Sequence, residues 1–387
     1  MNYKAIEIFQ NLPIKPTPAI FTIVFNACAK TADDEASKIG RTVLESLAGN
    51  LLENEILINS AIDMLMKFGD VTHAETLFNK MKRKTIVTFV AMMKGYISNG
   101  SPKKAIELFQ KLTVTADASV FTTLFNACAK VADADAIKIG RNFLQQIRPD
   151  HKKNEMLMNS SIDMLMKFGD VKYAEELFSQ MNNKSTVTYG AMMQGYIVNG
   201  MPTRAIELFR NLPSQPNATV ITIVLNACAK VANQEAMTLG RDLLERFSSG
   251  FADNEILMSA AIDMLMKFGD IKEAERLFSQ QKNPSTSIYG IMMNGYNFNS
   301  RFTKCLTLFE QVQRRGLTID ESIAMAVVSA CAKTGLISTC RRMIESIPKH
   351  LQEKTQLKNL LIDMWVCYAT LIDAKGVETE EKKTISH

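Results

Sequence analysis

A period of 100 residues runs through most of this chain of 387 residues without an insertion or a gap. The segment Asp63-Met-Leu-Met-Lys-Phe-Gly-Asp70 returns unchanged at 163–170 and again at 263–270. A unit in so strict a repeat can bury its apolar face only against neighbouring units. The period therefore predicts a stacked array, and any function should lie in the residues that recur on the exposed face.

Segments with helical spacing of apolar residues alternate with turn signals along each period, and two such segments make one hairpin. Phe21, Val24 and Cys28 follow helical spacing, and Gly69-Asp70 marks a turn. No stretch alternates as a strand would, so the predicted fold class is all-α. The first period divides into three helical hairpins of 37, 31 and 32 residues, at 18–54, 55–85 and 86–117. We expect the next two periods to follow the same division.

The two ends of the chain depart from the period. Residues 4–13 match the second helix of a third hairpin, so residues 1–17 are predicted to be a partial repeat with a second helix only. This predicts either a fragment of a longer array or a missing end cap, with apolar surface exposed at the N-terminus. The repeat array is expected over 18–354, as three 100-residue triplets plus a further long repeat, followed by a degenerate last repeat at 355–375 and a polar tail at 376–387.

Composition narrows the class of protein without choosing a function. The net charge of +5 is compatible with a polyanionic partner and does not prove one. No apolar stretch is long enough to cross a membrane, so no membrane partner is expected. The seven cysteines form no CxxC motif, and four of them, Cys28, Cys128, Cys228 and Cys331, share one helical position. We therefore expect buried thiols rather than a disulfide framework. No targeting segment is recognisable before the first helix.

A polar pattern recurs on the first helix of the hairpins, opposite its apolar face. In the first hairpin it is Thr22, Asn26 and Lys30, whose spacing of four residues places them in one line along a helix. Stacking would turn such lines into a ribbon edged by Lys30, Lys67, Lys130, Lys167, Lys230, Lys267 and Lys333. A ribbon of small hydrogen-bonding groups and lysines suits a single-stranded polyanion whose bases are read on their edges. The alternative is a plain solvated face, although such a face would be free to vary between repeats.

The residue that closes each hairpin is nearly always of a helix-capping type. The series is Thr17, Asn54, Thr85, Asp117, Asn154, Ser185, Asn217, Asn254, Ser285, Asp320 and Lys354. All except the lysine can accept a hydrogen bond from the free amides of the next helix. Capping alone could therefore explain these identities.

The run from Asp63 to Phe78, together with Val87 to Tyr96, resembles pentatricopeptide repeat proteins. The order of repeat lengths resembles the class with alternating long, short and standard repeats, known mainly from plant organelles. The resemblance covers roughly 4–375 and implies a right-handed α-solenoid of stacked helix-turn-helix repeats, which holds single-stranded RNA in a concave groove at about one base per repeat. It also implies a sequence-selective role in organellar RNA processing, editing, stability or translation, in the mitochondrion or another organelle. An RNA-processing or editing enzyme acting in trans would be the protein partner, and no cofactor is implied.

In that family a first-helix residue and the last residue of the same repeat read one base together, while a first-helix lysine approaches the phosphates. The reading pairs implied here are Thr22 with Asn54, Asn59 with Thr85, Val90 with Asp117, Thr122 with Asn154, Asn159 with Ser185, Gly190 with Asn217, Thr222 with Asn254, Ser259 with Ser285, and Gly290 with Asp320. The family code assigns Thr plus Asn to adenine, and Asn in the first helix favours pyrimidines. Three pairs depart from it because their first member offers no side-chain hydrogen bond, and Met325 with Lys354 fits no usual pair.

Two other functions remain open. The array could be a protein–protein interaction scaffold, although scaffold grooves generally carry apolar or aromatic anchors. It could also be the RNA-binding part of a longer RNA-modifying enzyme. His73-Ala-Glu75 has the spacing of a zinc-deaminase signature, but no paired cysteines follow it at suitable spacing. Asp70 and its two repeats more simply start a second helix. The sequence therefore predicts a binding protein with no catalytic residue and no metal site.

Overall fold

The computed structural model describes residues 2–47, 54–147, 153–247, 254–334 and 337–366. These ranges contain helices, turns and bends and no strand, which confirms the all-α prediction. The helices are α1 (Asn2–Gln10), α2 (Pro18–Thr31), α3 (Asp34–Glu45), α4 (Glu55–Lys67), α5 (Val71–Lys80), α6 (Ile86–Ser98), α7 (Pro102–Gln110), α8 (Ala118–Val131), α9 (Ala134–Gln145), α10 (Glu155–Lys167), α11 (Val171–Gln180), α12 (Thr186–Val198), α13 (Pro202–Arg210), α14 (Ala218–Val231), α15 (Gln234–Arg246), α16 (Glu255–Lys267), α17 (Ile271–Ser279), α18 (Thr286–Phe298), α19 (Phe302–Arg314), α20 (Glu321–Thr334), α21 (Ile337–Glu345) and α22 (Lys349–Gln352). Residues 355–366 are also helical.

The even-numbered helices from α2 to α20 are the first helices of the hairpins, and the odd-numbered helices from α3 to α21 are the second helices. First helices begin at residues 18, 55, 86, 118, 155, 186, 218, 255, 286 and 321. We call the hairpins that begin at 18, 118 and 218 long, those at 55, 155 and 255 short, and those at 86, 186 and 286 third hairpins.

The last hairpin of the third period is longer than the common division gives, as its closing residue Asp320 in the sequence series indicates. That hairpin spans 35 residues, because the next first helix begins at Glu321 rather than at residue 318. Its second helix, α19, has 13 residues, whereas α7 and α13 have nine. The apolar pattern continues through Val312, which is fully buried, and so extends the helix.

The chain divides into two compact units, Met1–Gly200 and Met201–His387. In the first unit α2, α4, α6, α8, α10 and α12 pack one on the next, and in the second unit α14, α16, α18 and α20 do the same. Within each unit, second helices pack on the first helix of their own hairpin where that helix belongs to the same unit, and several also contact the first helix that follows. Each unit is therefore an α-solenoid of stacked hairpins.

Close contact between first helices depends on glycine. A Cβ atom on Gly95 of α6 would lie 2.3 Å from Cγ of Met66 in α4, so only hydrogen fits between the two helices. The same approach recurs at Gly195 with Met166. Around these contacts Ile62, Met64 and Leu65 have at most 1% of their surface exposed. First helices thus share a dense apolar core from hairpin to hairpin.

Second helices are joined across hairpins mainly by polar side chains. Glu75 of α5 accepts hydrogen bonds of 2.9 Å from both the Tyr96 hydroxyl and the Lys104 ammonium. The Lys104 bond is the main cause of a lowered pKa at Glu75, and the Tyr96 bond adds to it. Arg141 of α9 donates two hydrogen bonds of 2.7 Å to Asp170 at the start of α11. Such pairs fix how one hairpin meets the next.

The N-terminal helix exposes apolar surface, as predicted. Ile8 of α1 is 58% exposed, whereas the equivalent Leu108 of α7 is half-buried. Ile14, in the connection to α2, is also exposed. At the other end, the predicted tail at 376–387 and residues 367–375 of the degenerate repeat lie outside the described residues.

Candidate nucleic-acid interface

The predicted base-reading residues on the first helices of the long hairpins are threonines. Their hydroxyl groups already donate a hydrogen bond to the backbone of their own helix. Thr22 donates to the carbonyl of Pro18 at 2.9 Å, Thr122 to that of Ala118 at 2.7 Å, and Thr222 to that of Ala218 at 2.8 Å. A hydroxyl bonded back to its own helix keeps its oxygen lone pairs. Thr22 and Thr222, which are half-buried, can therefore accept a hydrogen bond from a ligand and cannot readily donate one, whereas Thr122 is buried.

The short hairpins carry asparagine twice and serine once at the same position. Oδ1 of Asn59 and of Asn159 is buried and has no hydrogen-bond partner within the described part of the protein. A buried acceptor without a partner costs about 1–3 kcal/mol, so folded proteins rarely leave one unexplained. Ser259 is half-buried. Because both oxygens are enclosed, a ligand with N–H donors would satisfy them only after the amide turned outward, and each asparagine is half-buried rather than fully buried.

The third hairpins offer no side-chain hydrogen bond at this position. Val90, Gly190 and Gly290 are buried. A Cβ atom on Gly290 would lie 3.1 Å from Oγ of Ser322, so the neighbouring helix crowds this site. In the tenth hairpin Met325 is half-buried and Lys354 binds Glu321 at 2.6 Å.

The closing residues do cap the next helix. Asn54, Asn154 and Asn254 each accept a hydrogen bond of 3.0 or 3.1 Å from the backbone amide three residues on. Thr85 forms a capping box with Thr88. The remaining closing residues, Asp117, Ser185, Asn217, Ser285 and Asp320, accept from following amides, whereas Thr17 makes no side-chain cap bond. Capping is confirmed, and the base-reading role of these residues stays a prediction.

One reading pair is joined through an acid that sequence reasoning did not single out. Glu155, the first residue of α10, accepts hydrogen bonds from Ser185 and, at 3.2 Å, from Thr188. The bond from Ser185 is the largest cause of a lowered pKa at Glu155, and the side chain of Asn159 contributes further. The pair Asn159 and Ser185 therefore meets at one carboxylate. Ser285 contacts Glu255 in the same way. The signal in the sequence was a glutamate directly after the asparagine that caps the first helix of each short hairpin.

The seven lysines all lie in the last turn of a first helix and are exposed. A cation there also favours the helix dipole, which is a structural reason for its presence. Nζ of Lys67 lies 3.0 Å from Asp63, and the equivalent distances are 2.8 Å for Lys167 and 2.7 Å for Lys267. The lysines thus fall into a paired and an unpaired group.

Exposed apolar side chains mark the same helices, and sequence reasoning missed them. Ile56, Met156 and Ile256, each the second residue of a short-hairpin first helix, are 70–72% exposed. Val87 and Val187 occupy the same place in two third hairpins and are about as exposed. Folding gives no reason for apolar groups there. The signal in the sequence was an apolar residue two positions after the capping residue, as in Asn54-Glu55-Ile56.

The residues that resemble catalytic motifs have structural partners. Asp70 accepts from the backbone amide of His73 at 3.4 Å and from its Nδ1 at 2.8 Å, and it binds Arg41 at 3.2 Å. Within the described ranges no three His, Cys, Asp or Glu side chains could hold a metal ion. The six described cysteines are buried free thiols, and Cys367 lies outside the described residues. No described helix is long and apolar enough to cross a membrane.

Comparison with known proteins finds a known helical repeat in several segments of this chain. The model of the PPR repeat matches residues 57–86, 87–113, 158–185, 187–215 and 287–317. The pentatricopeptide repeat-containing protein At1g15510, chloroplastic, of Arabidopsis thaliana is 27% identical over 87% of this chain and 39% of its own length. At3g26782, mitochondrial, from the same plant, is 25% identical over 86% of this chain and 52% of its own length. Five segments of this chain are thus similar to PPR repeats, and the chain spans about half the length or less of these relatives.

Solved structures agree on the fold. The pentatricopeptide repeat protein PPR10 from maize has a TM-score of 0.59 at 16% identity, over 95% of this chain and 57% of that one. A crystal structure of PPR10 in complex with an 18-nt psaJ RNA element has a TM-score of 0.60 at 14% identity, over 92% of this chain and 58% of that one.

Proposed function

We propose that this protein binds single-stranded RNA selectively along its first helices. The observation that carries the proposal is that one face repeats three kinds of uncommitted group. These are hydrogen-bond acceptors such as the hydroxyl oxygen of Thr22, exposed ammonium groups such as that of Lys30, and exposed apolar side chains such as Ile56. A single strand needs all three, for base edges, phosphates and base faces respectively.

The hydrogen bonding of the long hairpins supports adenine at their sites. Because the Thr22 hydroxyl donates to Pro18, its oxygen faces a ligand as an acceptor. The N6 amino group of adenine is a donor, and the amide of Asn54 keeps its own NH₂ group free after Oδ1 caps α4. The same holds for Thr122 with Asn154 and for Thr222 with Asn254. We assign the other reading pairs to single bases on the same plan, with the weakest selectivity at the third hairpins.

The place and partner of this activity are proposed from the relatives. Several are named chloroplastic or mitochondrial, so we place the protein in an organelle. There it would act in RNA processing, editing, stability or translation and position a transcript for an enzyme acting in trans. Because the relatives extend well beyond the matched region, the chain could also serve as the RNA-binding part of a longer RNA-modifying enzyme.

A scaffold function has one observation in its favour, the exposed apolar row that includes Met156 and Ile256. Apolar anchors of this kind also bind peptides. The two functions differ in their dependence on salt, because phosphate contacts release counterions and apolar contacts do not.

The test is a binding titration by fluorescence anisotropy, with randomised and adenine-substituted single-stranded RNAs. The variant with Thr22→Asn, Thr122→Asn and Thr222→Asn should lose preference for adenine at every third base and keep most of its affinity for other sequences. Direct base contacts are worth about 1–3 kcal/mol each, so three changes should be measurable. A folded protein that fails to bind single-stranded RNA at moderate salt would overturn the proposal and favour a scaffold.

A further inference from the structure

The residue four positions before each first-helix lysine differs between hairpin types. In the long hairpins it is Asn26, Asn126 or Asn226, which carries no charge. In the short hairpins it is Asp63, Asp163 or Asp263, and each carboxylate lies within 3.0 Å of its lysine. In the third hairpins the lysine itself is replaced, by Ser98, Val198 and Phe298. The residue four positions earlier in the third hairpins is the exposed Lys94 and the uncharged Gln194 and Asn294, so apart from Lys94 the charge on this line repeats with the three-hairpin period.

We propose that the long-hairpin lysines bind RNA phosphates. Each short-hairpin aspartate pairs with the lysine of its own helix and so keeps that lysine from binding RNA. Lys30, Lys130 and Lys230 are then the anchoring cations of the three periods, and Lys333, four positions after the uncharged Ser329, belongs to the same group. This inference rests on the proposed RNA-binding function and specifies which of the seven lysines carry its electrostatic part.

The physical argument concerns net charge. An ammonium and a carboxylate 3 Å apart form a dipole with no net charge, and its field falls off faster than that of a single ion. A phosphate that approaches Lys67 also approaches the Asp63 carboxylate and is repelled by it. Counterion release on binding, which makes affinity depend on salt, requires cations that RNA can neutralise. The paired lysines contribute little to it because an aspartate neutralises them already.

The long-hairpin lysines have no such carboxylate on their helix. Lys30 and Lys230 make no ion pair among the described residues, and the nearest interaction of Lys130 is a 3.5 Å contact with the carbonyl of Ile97. The acidic residues that follow in the chain are engaged elsewhere. Asp33 caps α3 and accepts from the Tyr3 hydroxyl, and Asp133 binds Lys103 at 2.8 Å. These ammonium groups therefore remain available to a polyanion.

The short-hairpin aspartates would also affect how selectively the first helices bind RNA. They lower the positive charge of the first-helix face without removing the lysine that favours the end of each short-hairpin helix. A face with fewer free cations binds arbitrary polyanions less tightly, so a larger share of the affinity comes from base contacts. The aspartates would thus increase selectivity at the expense of affinity.

Three variants of the full chain, with three, six and three substitutions, test this inference with one mixed-sequence single-stranded RNA. The first carries Lys30→Gln, Lys130→Gln and Lys230→Gln. The second replaces both members of each pair, with Asp63→Asn and Lys67→Gln and the same changes at 163, 167, 263 and 267. The third carries only Asp63→Asn, Asp163→Asn and Asp263→Asn. All the substituted side chains are at least partly exposed, and circular dichroism with thermal melting checks that each variant folds.

The readout is the slope of log affinity against log salt concentration. For single strands each phosphate contact contributes about 0.7 to that slope, so the first variant should lose about 2, or roughly a hundredfold in affinity near 0.1 M salt. The second variant should change the slope by less than about 0.5, since it removes no net charge. The third should gain about 2 in slope and bind all sequences more tightly.

The inference is overturned if the second variant loses as much slope and affinity as the first, because Lys67 would then leave Asp63 to bind phosphate. It is also overturned if the third variant binds no more tightly than the unmodified protein. Failure of the proposed function gives a different result, in which the unmodified protein shows no salt-dependent binding of single-stranded RNA.

Discussion

First and second helices of the same hairpin use their surfaces in opposite ways. Between residues 18 and 354, the large apolar side chains that the structure shows as exposed lie on first helices, except for Met201 in a connection. They are Ile23, Ile56, Val87, Met156, Val187, Val198, Ile256 and Phe298. The second helices expose charged side chains instead, and many of these are paired with the neighbouring hairpin, as Arg141 is with Asp170.

The contrast separates what stacking needs from what binding needs. A second helix must satisfy its own charges and hold the next hairpin, and pairs such as Lys104 with Glu75 do both. A first helix is already held by its dense apolar contacts, so its other face is free to keep acceptors and apolar groups without partners. Groups that a fold leaves unsatisfied along one face are the place to expect a ligand.

The largest effect should come from removing the exposed apolar row. The variant with Ile56→Ser, Met156→Ser and Ile256→Ser should bind single-stranded RNA more than a hundredfold more weakly, since packing against a base face is worth about 1 kcal/mol or more per base. Its thermal stability should not fall, because these side chains are 70–72% exposed. Anisotropy and calorimetry measure the two effects.

The matched control is Ile8→Ser, the same substitution at a side chain that is 58% exposed on α1, outside the first-helix layer. It should leave RNA affinity unchanged. An equal loss in the control would show that exposed apolar groups act through solubility rather than through RNA.

Packing between first helices should give the next effect, on stability. Gly95→Val places a side chain where Cγ of Met66 would be 2.3 Å from the new Cβ atom, and overpacking of this kind costs about 1–3 kcal/mol. Urea unfolding measures the loss. Ser98→Ala, at an exposed position of the same helix, should cost nothing, and equal stability of the two variants would mean that α4 and α6 are not in close contact.

The smallest effect concerns the polar link between second helices and its dependence on pH. The ordinary pKa of 4.5 is lowered at Glu75, so its ionised carboxylate stabilises the fold above the unfolded value, and that contribution disappears as the pH falls through the folded value. Glu75→Gln should lower stability near neutral pH by about 1 kcal/mol, which is modest because solvent screens Lys104.

A comparison of the two proteins in acid completes this test. Below the folded pKa of Glu75 the stability difference between Glu75→Gln and the unmodified protein should vanish, as followed by urea unfolding at a series of pH values. A difference that persists unchanged in acid would assign the effect to packing rather than to charge.

The fold could be predicted because the period itself encodes it. Apolar spacing, turn glycines such as Gly69, with its φ of +75°, and capping residues such as Asn54 give one consistent pattern. Asp320 indicated a hairpin three residues longer than the exact period, but not that the added residues would extend α19. The buried Val312 in that extension depends on contacts that only stacking creates.

The candidate site was less accessible from the sequence. Spacing placed Thr22 and Lys30 on one face, but it could not show that Thr22 donates to Pro18 or that Oδ1 of Asn59 lacks a partner. The spacing of four residues allowed Asp63 to pair with Lys67, but only the structure shows the two side chains 3.0 Å apart. These features depend on side-chain conformation and burial, which the repeat pattern does not determine.

The central claim is that RNA lies along the first helices, and photocrosslinking tests it most directly. The folded protein would be bound to single-stranded RNA containing thiouridine and irradiated, and the crosslinked peptides would be identified by mass spectrometry. We predict crosslinks within first helices, above all in Glu55–Lys67, Glu155–Lys167 and Glu255–Lys267. Crosslinks confined to second helices such as Val71–Lys80 and Val171–Gln180 would contradict the account.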